Sequence, residues 1–227
     1  MNQDKNILVV GTGLIGTSIA LGLTAQGLNV FLSDIDPTAL DDALKVSGAV
    51  KYTNQDISLV IVATPPASTA KVIAAAVKDH PLAVVTDVAS VKGSIFRELE
   101  QIGITDWDRI VGGHPMAGRE VSGAIGAQGN LFLDRPWVIA RSDLTSKSAI
   151  ATVQDLVVTL GAFPVFRTID EHDRAVALIS HTPQVVASVL AGELMDAEGS
   201  YIELAGQGIR DTIRIAGSIN FCSTNCG

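Results

Sequence analysis

The chain has 227 residues, 47% of them hydrophobic, enough for one large domain or two modest ones and too many for general disorder. A formal net charge of −8 argues against nucleic acid or an anionic membrane as partner, while leaving room for a local cationic pocket that takes an acidic small molecule. Both cysteines, Cys222 and Cys226, stand in the last six residues, which fits a reducing cytoplasm and excludes a disulfide-framed fold; no compact His/Cys cluster suggests a metal.

Residues 7–10 are a short apolar run suited to a buried parallel strand. The run breaks at Gly11-Thr12-Gly13-Leu14-Ile15-Gly16 and resumes with helical spacing through Ala20, Leu21 and Leu23. A second strand at 30–32 ends at Asp34. Strand, glycine turn, helix, strand and acid in this order form the dinucleotide-binding βαβ fingerprint. Gly11 allows the tight turn, Gly13 lets a pyrophosphate approach the backbone, and Gly16 lets the helix lie close to its strand. Free N–H groups at the helix start face the phosphates. The Asp34 carboxylate is expected to accept from the ribose hydroxyls and to repel a 2′-phosphate, which favours NAD, although Ser33 leaves NADP open. A membrane segment competes for this stretch, because no charge occurs between Lys5 and Asp34. Gly11, Gly13, Gly16, Gly22 and Gly27 interrupt it, however, and a signal peptide fails at Lys5.

A polar helix follows at about 38–47, then a buried strand at 59–62 that ends at Ala63-Thr64-Pro65-Pro66. The spacing predicts a helix at 70–77, a strand at 82–86, a helix starting at 95–99 and a strand at 110–111 that leads into Gly112-Gly113-His114-Pro115-Met116-Ala117-Gly118. Strands alternating with helices imply a mostly parallel sheet covered on both faces, with ligands beyond the carboxyl ends of its strands. The polar residues collect at those ends: Gly11 to Gly16, Asp34, Thr64, Ser90 and His114. His114, after a buried strand and two glycines, is placed to accept a proton beside a nicotinamide. Ser90 is equally suited to bonding that imidazole and a substrate hydroxyl or to capping the helix from Val91 on. Lys92 either orients this loop or reaches the substrate. His80 reads as a surface residue.

Further strands are expected at 136–139 and 163–166, with a helix at about 149–160 between them, closed by Gly161. From Thr168 the texture changes. Thr168-Ile169-Asp170-Glu171 is a capping-box pattern opening a long apolar helix towards Met195. Pro183 should kink it near Ile179, with His181 at the kink and Gln184 on the same face, and Gly199 should close it. A second helix carries Arg210 and Arg214 one above the other. They either face water, pair with Asp211, or grip a carboxylate. The fold expected is α/β: an N-terminal Rossmann-type doubly wound, mostly parallel sheet over 1–167, followed by a shortened all-helical C-terminal domain over 168–227.

The segments GTGLIGTSIA, TDVASVK, GGHPMAG, RPWVI, DEHDRAVALISHTP and GIRDTIRIAGS occur in this order. Together, over about residues 7–218, they resemble the prephenate and arogenate dehydrogenase family of tyrosine biosynthesis. The resemblance implies a cytoplasmic enzyme that decarboxylates prephenate oxidatively to 4-hydroxyphenylpyruvate with NAD, dimerising through its helical domain. By matched position it implies that His114 takes the proton of the ring hydroxyl, that Ser90 bonds that hydroxyl and the histidine, and that Arg214 holds a carboxylate. His181, with Gln184 and Arg210, belongs to the substrate-binding set. Two departures stand out. Prephenate-using members carry a second histidine where this chain has Gln184, which brings in arogenate as an alternative substrate. The helical domain of the family continues past the residues matched here, so the cysteine-bearing end reads as a truncated or frameshifted terminus, and a cofactor-binding remnant without turnover is the other alternative. A β-hydroxyacid dehydrogenase fits less well, because its lysine after the Rossmann domain has no counterpart beyond Lys147.

Overall fold

A computed structural model describes residues 5–117, 123–195, 197–214 and 216. Gly118 and the terminal Cys222 and Cys226 lie outside the described residues.

Among the described residues, eight strands form one sheet in the order β3-β2-β1-β4-β5-β6-β7-β8. They are β1 (Asn6–Val10), β2 (Asn29–Ser33), β3 (Val50–Lys51), β4 (Leu59–Val62), β5 (Val84–Asp87), β6 (Ile110–Pro115), β7 (Pro136–Arg141) and β8 (Phe163–Thr168). The six strands from β3 across to β6 run parallel, linked through helices α1 (Leu14–Ala25), α2 (Pro37–Ser47), α3 (Pro66–Asp79) and α4 (Gly93–Ile102). Between β6 and β7 the described residues hold only a short 3₁₀ turn, Ala124–Gly126, and no crossover helix. β7 accordingly returns antiparallel to β6, and β8 follows parallel to β7 after α5 (Lys147–Thr159).

Alternation along each strand divides the core. Ile7 and Val9 of β1 pack with Ile19, Leu23, Leu59 and Ile61 on one face, together with Val153 and Leu156 of α5. Leu8 packs with Val60, Val62, Ile73, Phe96 and Leu99 on the other. All four residues of β4 are buried, as a strand covered on both faces requires. The mostly parallel, doubly covered sheet expected from the sequence is the one observed. The edge strand β3, two exposed residues paired to β2, carries no apolar pattern and was not foreseen. β5 begins at Val84, because Pro81 and Leu82 form the turn after α3, where the Ala83 amide donates to the His80 carbonyl; Leu82 is exposed. His80 is half-buried, its ring edge-on to Tyr52, so it closes α3 rather than standing on the open surface.

The chain divides into two compact units, Met1–Asp173 and Arg174–Gly227. The capping box forms as its pattern requires, with the Thr168 amide donating to Glu171 Oε2 and the Glu171 amide to Thr168 Oγ1. It opens α6 (Ile169–Val176). A π-helical turn, Ala177–His181, precedes α7 (Thr182–Met195). Pro183 has no N–H for the carbonyl four residues back, and the chain absorbs this with the wider turn, in which the Thr182 amide reaches the Ala177 carbonyl. The sequence placed this break correctly. Gly199 does not close α7: the helix stops at Met195, and Gly199 opens a short α8 (Gly199–Ile202) behind Glu198. The last described helix is α9 (Gln207–Arg214).

Candidate active site

Because β2, β1, β4, β5 and β6 are parallel neighbours, their carboxyl ends share one edge of the sheet, and the polar residues found there come together. A cleft of about 880 Å³ opens on this edge. Gly11, Thr12, Gly13, Leu14 and Ile15 line it, with Asp34 and Thr38, Thr64 and Ser68, and Val88 to Ser90. Gly16 lies beneath the loop, where a side chain would stand 2.0 Å from the Gly11 carbonyl oxygen; Gly11 itself has φ +99°. No residue with a Cβ fits at Gly16 without opening the turn.

A nucleotide fits this cradle on two observations. No atom lies within 4 Å of where a Cβ on Gly13 would sit, so the backbone there is open to a ligand. The start of α1 has no side-chain cap, which leaves its first amides available to an anion. Asp34 stands beside them. Its Oδ2 accepts from the Thr12 amide at 2.6 Å and the Thr12 hydroxyl at 2.8 Å, and its Oδ1 accepts from the Asp36 amide at 2.9 Å. Partial burial works against the charge, but the donors from Asp36 and Thr12 outweigh it and hold the carboxyl below its ordinary range. Asp34 therefore combines turn capping with a place in the cleft. Thr64 is fixed by a 3.3 Å contact between its hydroxyl and that of Thr69.

Ser90 is exposed on the cleft wall, and among the described residues it makes no hydrogen bond to His114. Nor does it cap a helix at Val91. Helix α4 starts at Gly93, and the cap comes from Asp173, whose two oxygens accept from the Lys92 amide at 3.0 Å and the Gly93 amide at 2.7 Å. A remote carboxylate thus does what one of the two alternatives for Ser90 assigned to a local serine. Lys92 is fully buried and paired with the buried Asp87. That pairing excludes reaching out towards a substrate. Asp87 Oδ2 also accepts from the Ala89 amide at 2.9 Å, and Oδ1 from the Gly113 amide at 3.3 Å. A side chain at Gly113 would meet the Asp87 carbonyl at 2.4 Å, so the second glycine before His114 keeps this close approach possible.

His114 is half-buried near the carboxyl end of β6. Its Nδ1 lies 2.9 Å from Nε2 of His172, the two rings edge to face at 5.2 Å, and Nδ1 of His172 lies 2.8 Å from Asp173 Oδ1. Burial lowers the proton affinity of His172, with the Asp173 carboxylate opposing and the Lys92 charge adding to the effect. His172 and Asp173 were missed as site residues. Their signal lay in the DEHDR stretch, where the adjacent His-Asp pair was assigned no role of its own.

The remaining sequence-derived candidates belong to the other unit. His181 sits half-buried in the π-helical turn and Gln184 half-buried in α7. Arg210 and Arg214 are exposed on α9, where Asp211 accepts from Gln207 Nε2 at 2.9 Å.

Two family models match the chain: the prephenate dehydrogenase nucleotide-binding domain over residues 19–165 and the prephenate dehydrogenase dimerization domain over residues 168–220. A probable prephenate dehydrogenase, NovF, of Streptomyces niveus is 38% identical over 203 residues, covering 89% of this chain and 56% of that protein. The chain thus spans little more than half the length of that relative. The crystal structure of Synechocystis arogenate dehydrogenase superposes with a TM-score of 0.78 at 30% identity, over 93% of this chain and 79% of that one. Prephenate dehydrogenase from A. aeolicus, solved with hydroxyphenyl propionate and NAD+, superposes with a TM-score of 0.85 at 26% identity, over 95% and 79%.

Proposed function

The chain belongs to the prephenate dehydrogenase family, and from that premise we propose that it is an NAD-dependent oxidoreductase that decarboxylates prephenate to 4-hydroxyphenylpyruvate. The observation that carries the reading is the common sheet edge, where an uncapped helix start, an open glycine backbone and the ionised Asp34 adjoin a strand ending in a hydrogen-bonded histidine. The glycine loop and α1 hold the pyrophosphate. Asp34 accepts from the adenosine ribose, and its charge disfavours a 2′-phosphate, so NAD is taken over NADP. The bound nicotinamide supplies the hydride acceptor.

The chain's own groups do the rest. His114 takes the proton of the ring hydroxyl through Nε2 as the carbinol carbon loses hydride. The carbinol thereby becomes a ketone, the ring carboxylate on the opposite carbon leaves as carbon dioxide, and its bonding electrons complete the aromatic ring. Ser90, exposed at the end of β5, hydrogen-bonds the hydroxyl, and Arg214 holds a substrate carboxylate, with Arg210, His181 and Gln184 in the substrate-binding set. Orientation is the protein's main contribution. Gln184 and the likeness to the Synechocystis enzyme favour arogenate as the second substrate to test.

The helical region completes the proposal as a dimerisation element. Leu178, Ile179, Val185, Val186 and Val189 are all exposed in the single chain. By length and composition alone the helix Ile169–Met195 could cross a membrane. An interface between two copies accounts for the same apolar surface in a cytoplasmic enzyme. The two family models part between residues 165 and 168, at the capping box, whereas the compact units part after Asp173, which keeps His172 and Asp173 with the first unit.

The deciding assay gives the purified protein prephenate or arogenate, each with NAD or NADP, and follows absorbance of the reduced cofactor. Turnover with prephenate and NAD is the expected result, and His114→Asn should lower it by at least about 100-fold while cofactor affinity stays the same. Turnover that survives this substitution removes His114 from the role of base. Cofactor binding without turnover on either substrate leaves only a nucleotide binder.

A further inference from the structure

Behind the proposed base lies a hydrogen-bonded chain that the reaction as described does not use. We propose that His172, held by Asp173, is a positioning residue that fixes His114 as its Nδ1–H tautomer and thereby turns the lone pair of Nε2 to the substrate hydroxyl. The inference rests on the reading of His114 as the base.

Each step follows from which groups can donate. Asp173 Oδ1 and Oδ2 accept from the Lys92 and Gly93 amides at the start of α4, and Oδ1 also meets His172 Nδ1. Burial disfavours its charge, but the amide of Gly93 and the His172 ring outweigh that and keep the carboxyl ionised. An ionised carboxylate only accepts, so Nδ1 of His172 carries the hydrogen.

His172 is 1% exposed. The charged groups acting on it are Asp173 and Asp87, which favour its protonation, and Lys92, which opposes it; with burial as the largest influence, the ring is held neutral. A neutral ring with its hydrogen on Nδ1 presents Nε2 as an acceptor. The 2.9 Å contact with His114 Nδ1 is then a hydrogen bond only if His114 is the donor. Nε2 of His114 is left as the accepting nitrogen.

The consequence is chemical rather than architectural. A general base must meet the hydroxyl with a lone pair, and a histidine in the opposite tautomer would offer an N–H instead. An acid–histidine pair that holds the correct tautomer is a known solution in other enzymes. Here a second imidazole stands between the acid and the base. When His114 takes up a proton, its Nδ1–H remains bonded to His172, whose own hydrogen remains on Asp173, so the new charge is stabilised without any change of partner. The N-terminus of α4 anchors the chain at its far end through Asp173, which fixes the rings in rotation as well as in protonation.

The test uses the intact protein labelled with ¹⁵N-histidine. At neutral pH the nitrogen spectrum of His114 should show a protonated Nδ1 and an unprotonated Nε2. In His172→Leu the signals should move towards the Nε2–H form or average between the two. In the same variant kcat should fall by roughly 10- to 100-fold, with substrate KM and cofactor affinity little changed. His172→Gln, whose amide oxygen can accept from His114, should recover part of the loss. An Nε2–H tautomer in the unaltered protein overturns the proposal, as does a kcat that His172→Leu leaves intact. The spectrum of the unaltered protein decides even if His172→Leu does not fold. A chain that turns over neither substrate defeats the functional reading, while the tautomer remains measurable.

Discussion

The two compact units treat their apolar side chains in opposite ways. In Met1–Asp173 the sheet is covered on both faces, and Ile7, Val9, Leu59, Val60 and Ile61 are at most barely touched by solvent. Among the described residues of Arg174–Gly227 only Val176 and Ala187 are buried, while Val185, Val186 and Val189 are each more than half exposed. The first unit supplies enough surface to bury its own core. The described residues of the second leave apolar side chains exposed, and the proposed pairing with a second copy would cover them.

The largest expected effect strikes the self-sufficient unit at the one ion pair that is fully buried among the described residues. Lys92→Met leaves the Asp87 carboxylate buried and uncompensated, which costs about 3–5 kcal/mol. For a chain of this size that lowers the thermal midpoint by roughly 6–20 °C. Adding Asp87→Asn removes the charge and keeps one acceptor oxygen, which can serve the Ala89 amide while the longer contact from the Gly113 amide is lost, so the double variant should regain part of the loss in a melting experiment. A single variant that melts like the parent would show that the pair is dispensable and that packing alone holds the sheet.

The counterpart in the helical unit is Val185→Glu together with Val189→Glu. Burying a valine in an interface stabilises it by about 1.5–3 kcal/mol. Losing both should weaken self-association by roughly 100-fold or more. Sedimentation should then report monomers, while the melting of the sheet-bearing unit stays where it was. Unchanged sedimentation would break the contrast, because the exposed valines would have some other covering.

Smaller again is Asp34→Ala. It removes one acceptor facing the cleft and releases the Thr12 amide and hydroxyl, and NAD affinity should fall about tenfold, equivalent to about 1.4 kcal/mol. Discrimination against NADP should shrink at the same time, which a fluorescence titration with the two reduced cofactors measures.

How much of this was legible in the chain depends on range. The glycine turn, Asp34 and the strand-end histidine declare themselves because their partners are near in sequence and their periodicity is regular. The capping box and the Pro183 break are local rules and were readable for the same reason. Lys92 could not be assigned, because its fate is decided by Asp87 and by glycines on a neighbouring strand. The cap of α4 was offered to Ser90 as one of two alternatives, and Asp173 could not be seen in that role because it lies 80 positions beyond Gly93, a separation that no local pattern connects. His172 was hidden for a similar reason: amphipathic spacing marks which side of a helix is apolar, not which polar residue that side delivers to a strand end.

Acid sharpens the contrast most gently, and it separates the histidine chain from the carboxylates. His172 binds its proton less readily when folded, so between its folded value and the ordinary value of ~6.5 the unfolded chain holds more protons. Its contribution to stability is therefore complete above about pH 6.5 and declines as the pH falls below that. Asp173 and Asp34 are held below the usual carboxylate value, so their contribution is complete above ~3.9 and is lost as the pH falls through their folded values. The sheet-bearing unit should weaken in two stages, one starting near neutrality and one in strong acid. His172→Gln should abolish the first and leave the second. Urea midpoints measured across this range at constant ionic strength test it, and a parent protein with no decline between about pH 6.5 and 5 would mean that the buried ring accepts its proton after all. Its Nε2 would then donate to His114, and the tautomer of the base would be reversed at the pH where the decline was expected.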